Sequence, residues 1–202
     1  DFETREIKSN LKKLKLIRLG TSGAIQPEIK TGSIILSEMS IGFDGLLNFY
    51  ANRDAITDKV IEEAFLKHTN WNSKLPVPYF ISASKSLIDK FGEKFIKGVT
   101  ISAPGFYGPQ GRVLRLPLVD PDINSKLESF EFNNKRITNF EMEGSAIYGL
   151  SHHLGHDAVT ICAIIANRIT KEYDHLYKET IQRMIKLLLL FSIAINTISF
   201  GN

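Results

Sequence analysis

Ala158-Val-Thr-Ile-Cys-Ala-Ile-Ile-Ala166 is an unbroken apolar run rich in β-branched residues, and it reads as a central strand buried on both faces. Before it, residues 141–154 read as a helix that ends at Gly155, a residue suited to the left-handed turn that closes helices. After it, Asp174 to Ile198 predicts one long helix, with Ile181, Met184, Ile185 and Leu188 on one face. A buried strand between two helices is the unit of an α/β fold.

The pattern continues toward the N-terminus. Leu14–Leu19 predicts a strand running into a tight turn at Gly20, and Gly32–Ser37 a second strand. Asp54 is the expected N-cap of a helix whose apolar positions are Ile56, Val60, Ala64 and Phe65. Tyr79–Ala83 reads as a strand, Lys85–Phe91 as a short helix and Phe95–Ser102 as a strand that enters a Gly/Pro-rich loop. Asp120-Pro-Asp122 is expected to cap a helix over 122–129, and Ile137–Phe140 is a short strand. Residues 1–13 read as a helix with no strand before it. The chain opens at Asp1 without an initiator Met, and reads as one whose beginning is missing. The expected architecture is a single α/β domain over 1–202 with a mixed central sheet flanked by helices.

Bulk properties narrow the function. Hydrophobic residues form 43% of the chain, enough for a sizeable core. With 25 basic and 22 acidic residues the net charge is +3, too balanced to suggest nucleic-acid or membrane binding. The basic stretch Lys8–Lys15 reads as a solvated face. A lone cysteine, Cys162, sits in the apolar run; with no partner for a disulfide it suits a reducing compartment. Leu187–Ile195 is too short to span a bilayer. The expectation is a soluble cytoplasmic protein. The five histidines show no zinc spacing, and Gly20-Thr-Ser-Gly23 lacks the dinucleotide fingerprint, so neither a metal nor an organic cofactor is expected.

Three polar clusters fall at strand ends, where open α/β sheets hold ligands. In Arg18-Leu-Gly-Thr-Ser-Gly23, a glycine turn can present backbone N–H groups as an anion nest, and Arg18 can grip phosphate with two bonds. The same residues would serve an ordinary turn with a surface arginine. In Gly105-Phe-Tyr-Gly-Pro-Gln-Gly-Arg112, the aromatics can stack on a flat ring. Gln110 and Arg112 complement an edge of carbonyl acceptors beside an N–H donor, although Gly and Pro also belong in any surface loop. In Asn139-Phe-Glu-Met-Glu-Gly144, one carboxylate can face vicinal hydroxyls while the other caps the helix. Asn167-Arg168, at the exit of the apolar strand, either faces the same site or is a plain strand end.

Taken in order, Arg18-Leu-Gly-Thr-Ser-Gly-Ala-Ile-Gln-Pro27, Phe43-Asp-Gly45, Phe106-Tyr-Gly-Pro-Gln-Gly-Arg112, Phe140-Glu-Met-Glu143 and Ile164-Ile-Ala-Asn-Arg168 resemble the nucleoside phosphorylase-I family, its uridine branch in particular. The resemblance runs from about residue 14 to the C-terminus and implies a distorted barrel-like sheet of the phosphorylase/hydrolase type. It implies that Arg18, Gly20 and Thr21 bind phosphate, and that Thr21, Met142 and Glu143 contact ribose. It further implies that Phe106, Gln110, Arg112, Glu141 and Arg168 surround the base. Arg18, Gln110, Arg112 and Arg168 would be the catalytic set. Where purine-processing relatives usually carry an Asp after a Ser, this chain has Asn167-Arg168, which points to a pyrimidine. The implied reaction is phosphorolysis of uridine, or deoxyuridine or thymidine, in nucleoside catabolism and pyrimidine salvage, with inorganic phosphate as co-substrate. The alternatives are a purine nucleoside phosphorylase or nucleoside hydrolase of the same fold, or a non-catalytic nucleoside binder.

Two departures accompany the resemblance. The family's N-terminal Gly-rich loop with its Arg, and a His and an Arg from a neighbouring subunit, are not among the residues present. The loop also reads Tyr-Gly-Pro-Gln rather than Tyr-Pro-Gly-Gln. By resemblance the expected assembly is a homodimer or homohexamer with shared sites.

Overall fold

The computed structural model describes residues 3–198. The decisive apolar run forms β7 (Asp157–Asn167), which pairs in parallel with β1 (Lys15–Ala24) and antiparallel with β2 (Ile34–Gly42). β2 also pairs in parallel with β4 (Ile96–Ser102) and antiparallel with β3 (Tyr79–Ser82). β4 runs parallel to β6 (Lys135–Glu141), whose end meets β1 antiparallel at Gly23↔Phe140 and Ala24↔Asn139. The path β2-β4-β6-β1-β7 returns to β2, so five strands close into a mixed barrel-like ring. Closure leaves the central strands without free edges. Two strands too short to show in the sequence, β5 (Glu131–Phe132) and β8 (Glu172–Tyr173), lean on β6 and β7.

Helices cover the ring. α1 (Lys59–Thr69) and α3 (Ile123–Ser129) enclose a core containing Ile61, Phe65, Phe80, Ile101, Leu127 and Phe140. α2 (Lys85–Phe91), α4 (Gly144–His153) and α5 (Tyr177–Ile198) enclose another, with Leu36, Tyr79, Leu87, Tyr148, Ile161 and Met184. No helix among the described residues is long and apolar enough to cross a membrane.

Several expectations are corrected. Of residues 1–13, Asp1 and Phe2 lie outside the described residues; residues 3–14 form turns and irregular chain, not a helix. Ile7 and Leu11 are exposed there, and an isolated helix without a face to bury is marginal in water. The N-cap of α1 is Asp58, whose carboxylate accepts from Val60 N and Ile61 N at 3.1 and 3.3 Å; Asp54 lies in a 3-10 turn instead. The helix predicted from Glu141 starts at Gly144, and the one predicted from Asp174 starts at Tyr177. The turn expected at Gly20 does not form: β1 continues straight through to Ala24, with Gly20 opposite Cys162.

Candidate functional site

Because β1 stays extended, its glycines do not form an anion nest. Gly20 has another use. A Cβ there would lie 2.6 Å from Arg18 Nη1, so the bare backbone is what lets the Arg18 guanidinium fold back over its own strand. Nη1 reaches Glu141 Oε2 at 3.1 Å and Cys162 Sγ at 3.5 Å, and Nη2 binds Glu143 Oε2. Burial works against the Arg18 charge, but the carboxylate of Glu141 leads the opposing effects, and the pKa ends above its usual value. The same burial, with Glu141 next, pushes the Cys162 thiol up to about 12, so it is an inert apolar neighbour.

The two acids differ sharply. Glu141, at the end of β6, is only 3% exposed. Its oxygens accept from Gly144 N at 3.0 and 2.9 Å, from Glu143 N at 2.9 Å and from the Ser102 hydroxyl. It anchors the start of α4 and holds Arg18. The side chain of Glu143 is 57% exposed and has Arg18 as its ion-pair partner. The expected division between a supporting and a ligand-facing carboxylate therefore assigns support to Glu141. Internal donors surround the Glu141 carboxylate.

The loop 105–112 forms a second group. Gly108–Gln110 is a 3-10 turn closed by Gly111 at φ 64°, a left-handed conformation that favours glycine. Gln110 is buried, and its Oε1 accepts from Arg112 Nη1, which also donates to the Phe106 carbonyl at 2.7 Å. The Arg112 guanidinium stacks 4.0 Å from the Phe106 ring centroid. Phe106 and Tyr107 are half exposed and meet edge to face. Arg168 arrives from the end of β7; its Nη2 donates to the Gln110 carbonyl, and its Cζ lies 4.6 Å from the Phe140 ring centroid. Arg168 Nη1 is buried without a hydrogen-bond partner. Burial, and then the neighbouring charge of Arg112, push the Arg168 pKa down to about 10.

The two groups adjoin. Arg168 packs beside Gly23 and Phe140, and Glu141 is the next residue. Consecutive residues of β6 thus meet the two groups: Phe140 lies against Arg168, which holds the Gln110 carbonyl, and Glu141 holds Arg18. Thr21 is exposed on β1, and Met142 is partly exposed between the acids. An apolar cavity of about 810 Å³ adjoins the loop 105–112, against Phe43, Trp71, Leu114 and Leu116. It touches Tyr107 and Arg112 but not Arg18 or Glu143. The cavity thus meets the loop at Tyr107 and Arg112 and does not extend to the carboxylates of Glu141 and Glu143.

Sequence reasoning missed what stands beneath Glu141. Ser40, Ser102, Thr100 and Ser22 are buried and hydrogen-bonded in this region. Their signal was hydroxyls inside otherwise apolar strands. Among the described residues no group of three or more His, Cys, Asp or Glu is gathered as metal ligands would be.

Residues 3–193 match the family described as the Phosphorylase superfamily, and the chain belongs to that superfamily. It is similar to the uridine phosphorylase of Thermococcus kodakarensis, 32% identical over 165 residues, covering 78% of this chain and 50% of that protein. The uridine phosphorylase of Salmonella typhimurium is 26% identical over 182 residues, covering 85% of this chain and 61% of its own length. The chain thus spans about half to three fifths of these relatives. Among solved structures, a Trypanosoma brucei nucleoside phosphorylase with uridine phosphorylase activity superposes with a TM-score of 0.77 at 24% identity, covering 96% of this chain and 72% of that one. Isoform 2 of uridine phosphorylase from Schistosoma mansoni, in complex with citrate, gives 0.62 at 22% identity, over 92% and 62%. These structural likenesses establish the fold.

Proposed function

We propose that the chain carries out phosphorolysis of a pyrimidine nucleoside, uridine foremost, yielding free base and ribose 1-phosphate. The observation that supports this most is the adjacency just described: an arginine held between two carboxylates, next to a loop whose donors gather at Gln110, Arg112 and Arg168. The uridine phosphorylases among its relatives point the same way. Inorganic phosphate is the co-substrate, no organic cofactor takes part, and the working form is an oligomer.

In this reading phosphate binds at Arg18 and Thr21. Glu143, being exposed, exchanges Arg18 for the ribose 2′- and 3′-hydroxyls, while buried Glu141 keeps its hold on Arg18. Phosphate then attacks C1′ opposite the base. The glycosidic bond stretches, the sugar gains oxocarbenium character, and the phosphate dianion stabilises it. Negative charge moves onto the leaving uracil. With Oε1 bound by Arg112, Gln110 retains amide donors for a ring carbonyl. Arg112 and the unpaired Nη1 of Arg168 are the cationic donors that meet the growing charge. Such donors act mainly on the transition state, at about 2.7–4 kcal/mol each.

The test is uracil release from uridine with and without phosphate. Phosphate-dependent release is expected. Release indifferent to phosphate would make the protein a hydrolase, and binding without turnover would make it a nucleoside binder.

A further inference from the structure

Two hydrogen-bonded ladders run across the strands beneath the site. One links Ser37 Oγ to Thr100 Oγ1 at 2.5 Å, Thr100 to Asn139 Oδ1 at 2.9 Å, and Asn139 Nδ2 to Ser22 Oγ at 3.0 Å. The other links Ser40 Oγ to Ser102 Oγ at 2.9 Å, Ser102 to Glu141 Oε1, and Glu141 to Arg18. The rungs follow the register, in which Thr100 pairs with Asn139 and Ser102 with Glu141. Bulges at the extra residues Glu38 and Thr138 restore this alignment, because one added residue switches the face a strand presents. The first ladder ends inside the sheet; only the second ends on site residues.

Proton accounting orients the second ladder. Ser102 has one hydroxyl proton, and the carboxylate of Glu141 can only accept it. Ser102 Oγ therefore accepts twice, from Ser145 N at 2.8 Å and from the Ser40 hydroxyl. With the Ser40 proton on the shorter of its two contacts, Ser102 at 2.9 Å rather than the Thr100 carbonyl at 3.3 Å, the line leads to Glu141 Oε1, while Arg18 holds Oε2 of the same carboxylate. Bonds aligned in this way reinforce one another in a buried setting.

We infer that Ser102 is a positioning residue, fixing through Glu141 the place of Arg18 and thereby the phosphate side of the site. The inference rests on the proposed phosphorolysis. Ser102 touches no substrate. It ties Glu141 to the first turn of α4, so that Arg18 and the Glu143 backbone share one rigid support.

The test compares Ser102→Ala with Ser37→Ala, which removes an equally buried hydroxyl from the other ladder. Phosphate KM, uridine turnover and binding of free uracil are measured, with NMR of the Arg18 guanidinium as a readout independent of activity. Ser102→Ala is expected to raise phosphate KM roughly tenfold, the size of a lost hydrogen bond to a charged group. It should also broaden the Arg18 signals, while uracil binding holds because Gln110, Arg112 and Arg168 lie off the ladder. Ser37→Ala should leave all four unchanged. If Ser102→Ala does not fold, Ser40→Ala, one rung further out, should give the same pattern more weakly. Unchanged phosphate KM and Arg18 signals in a folded variant overturn the inference, as does an equal loss in Ser37→Ala or a parallel loss of uracil binding. A parent chain inactive with phosphate and uridine overturns the proposed function instead, and the Arg18 signals still decide whether Ser102 positions it.

Discussion

The two sides of the site are built by opposite means. The side proposed for phosphate and ribose stands on strands: Arg18 lies within β1, Glu141 ends β6, and a buried hydroxyl ladder supports them. The side proposed for the base stands on a loop, where Gln110, Arg112 and Phe106 hold one another and Arg168 binds the Gln110 carbonyl. Groups fixed by the sheet are preorganised at the cost of burying charge, whereas a self-stacked loop can change shape without disturbing the barrel. Substitutions of the buried groups on the first side should therefore register in folding and function together, and those of the loop's polar side chains mainly in function.

Glu141→Ala should have the largest effect. It removes the acceptor shared by Gly144 N–H, Glu143 N–H, Ser102 and Arg18, and strands those donors in a buried place. A loss of about 3–5 kcal/mol of stability is expected, the usual result of breaking a buried charge pair. Urea unfolding measures it. A loss under about 1 kcal/mol, the range of an exposed pair, would erase the distinction drawn here.

Arg112→Ala comes next and carries the opposite signature. Its loss should lower kcat by about 10²–10³-fold, in line with a removed transition-state donor. The unfolding midpoint should stay near that of the parent, because the hydrogen bonds of Arg112 among the described residues go to Phe106 and Gln110 of its own loop. An unchanged kcat would remove Arg112 from the chemistry.

Legibility in the sequence follows the same division. The strand at 158–166 and helix α2 could be read because apolar periodicity reports burial directly. The turn at 105–111 was also readable, since its glycines and proline are local in sequence. Ser102 and Ser40 could not be found this way: each is one hydroxyl in an apolar strand, and its meaning appears only when the register sets it beside Glu141. The straight course of β1 through Gly20 was misread for a related reason. Two glycines with hydroxyls between them signal a turn locally, but pairing with β7 from Lys15 to Ala24 prevails, and Gly20 serves the Arg18 side chain instead.

Gly111→Ala sharpens the contrast from the loop side. Gly111 has φ 64°, and an added Cβ would lie 2.5 Å from Asn124 Nδ2, which donates to the Gly111 carbonyl at 2.8 Å. The left-handed conformation alone costs about 1–2 kcal/mol for a residue with a side chain. Loop reshaping should weaken uracil binding while the Arg18 guanidinium NMR signals stay put. Movement of both would mean that the two sides share one support.

Glu143→Gln should give the smallest effect on folding and is the most discriminating. Glu143 is the exposed partner of Arg18, and such pairs contribute about 0–1 kcal/mol, so the unfolding midpoint should barely shift. An amide retains the shape but loses the charge that strengthens bonds to two ribose hydroxyls, and uridine KM should rise roughly tenfold. Binding of free uracil, which has no sugar, should not change. Phosphate is the telling ligand: if Glu143 must release Arg18 before phosphate binds, weakening that pair should leave phosphate KM equal or lower. A higher phosphate KM would mean that Glu143 holds Arg18 in place throughout, and the exchange of partners would be wrong.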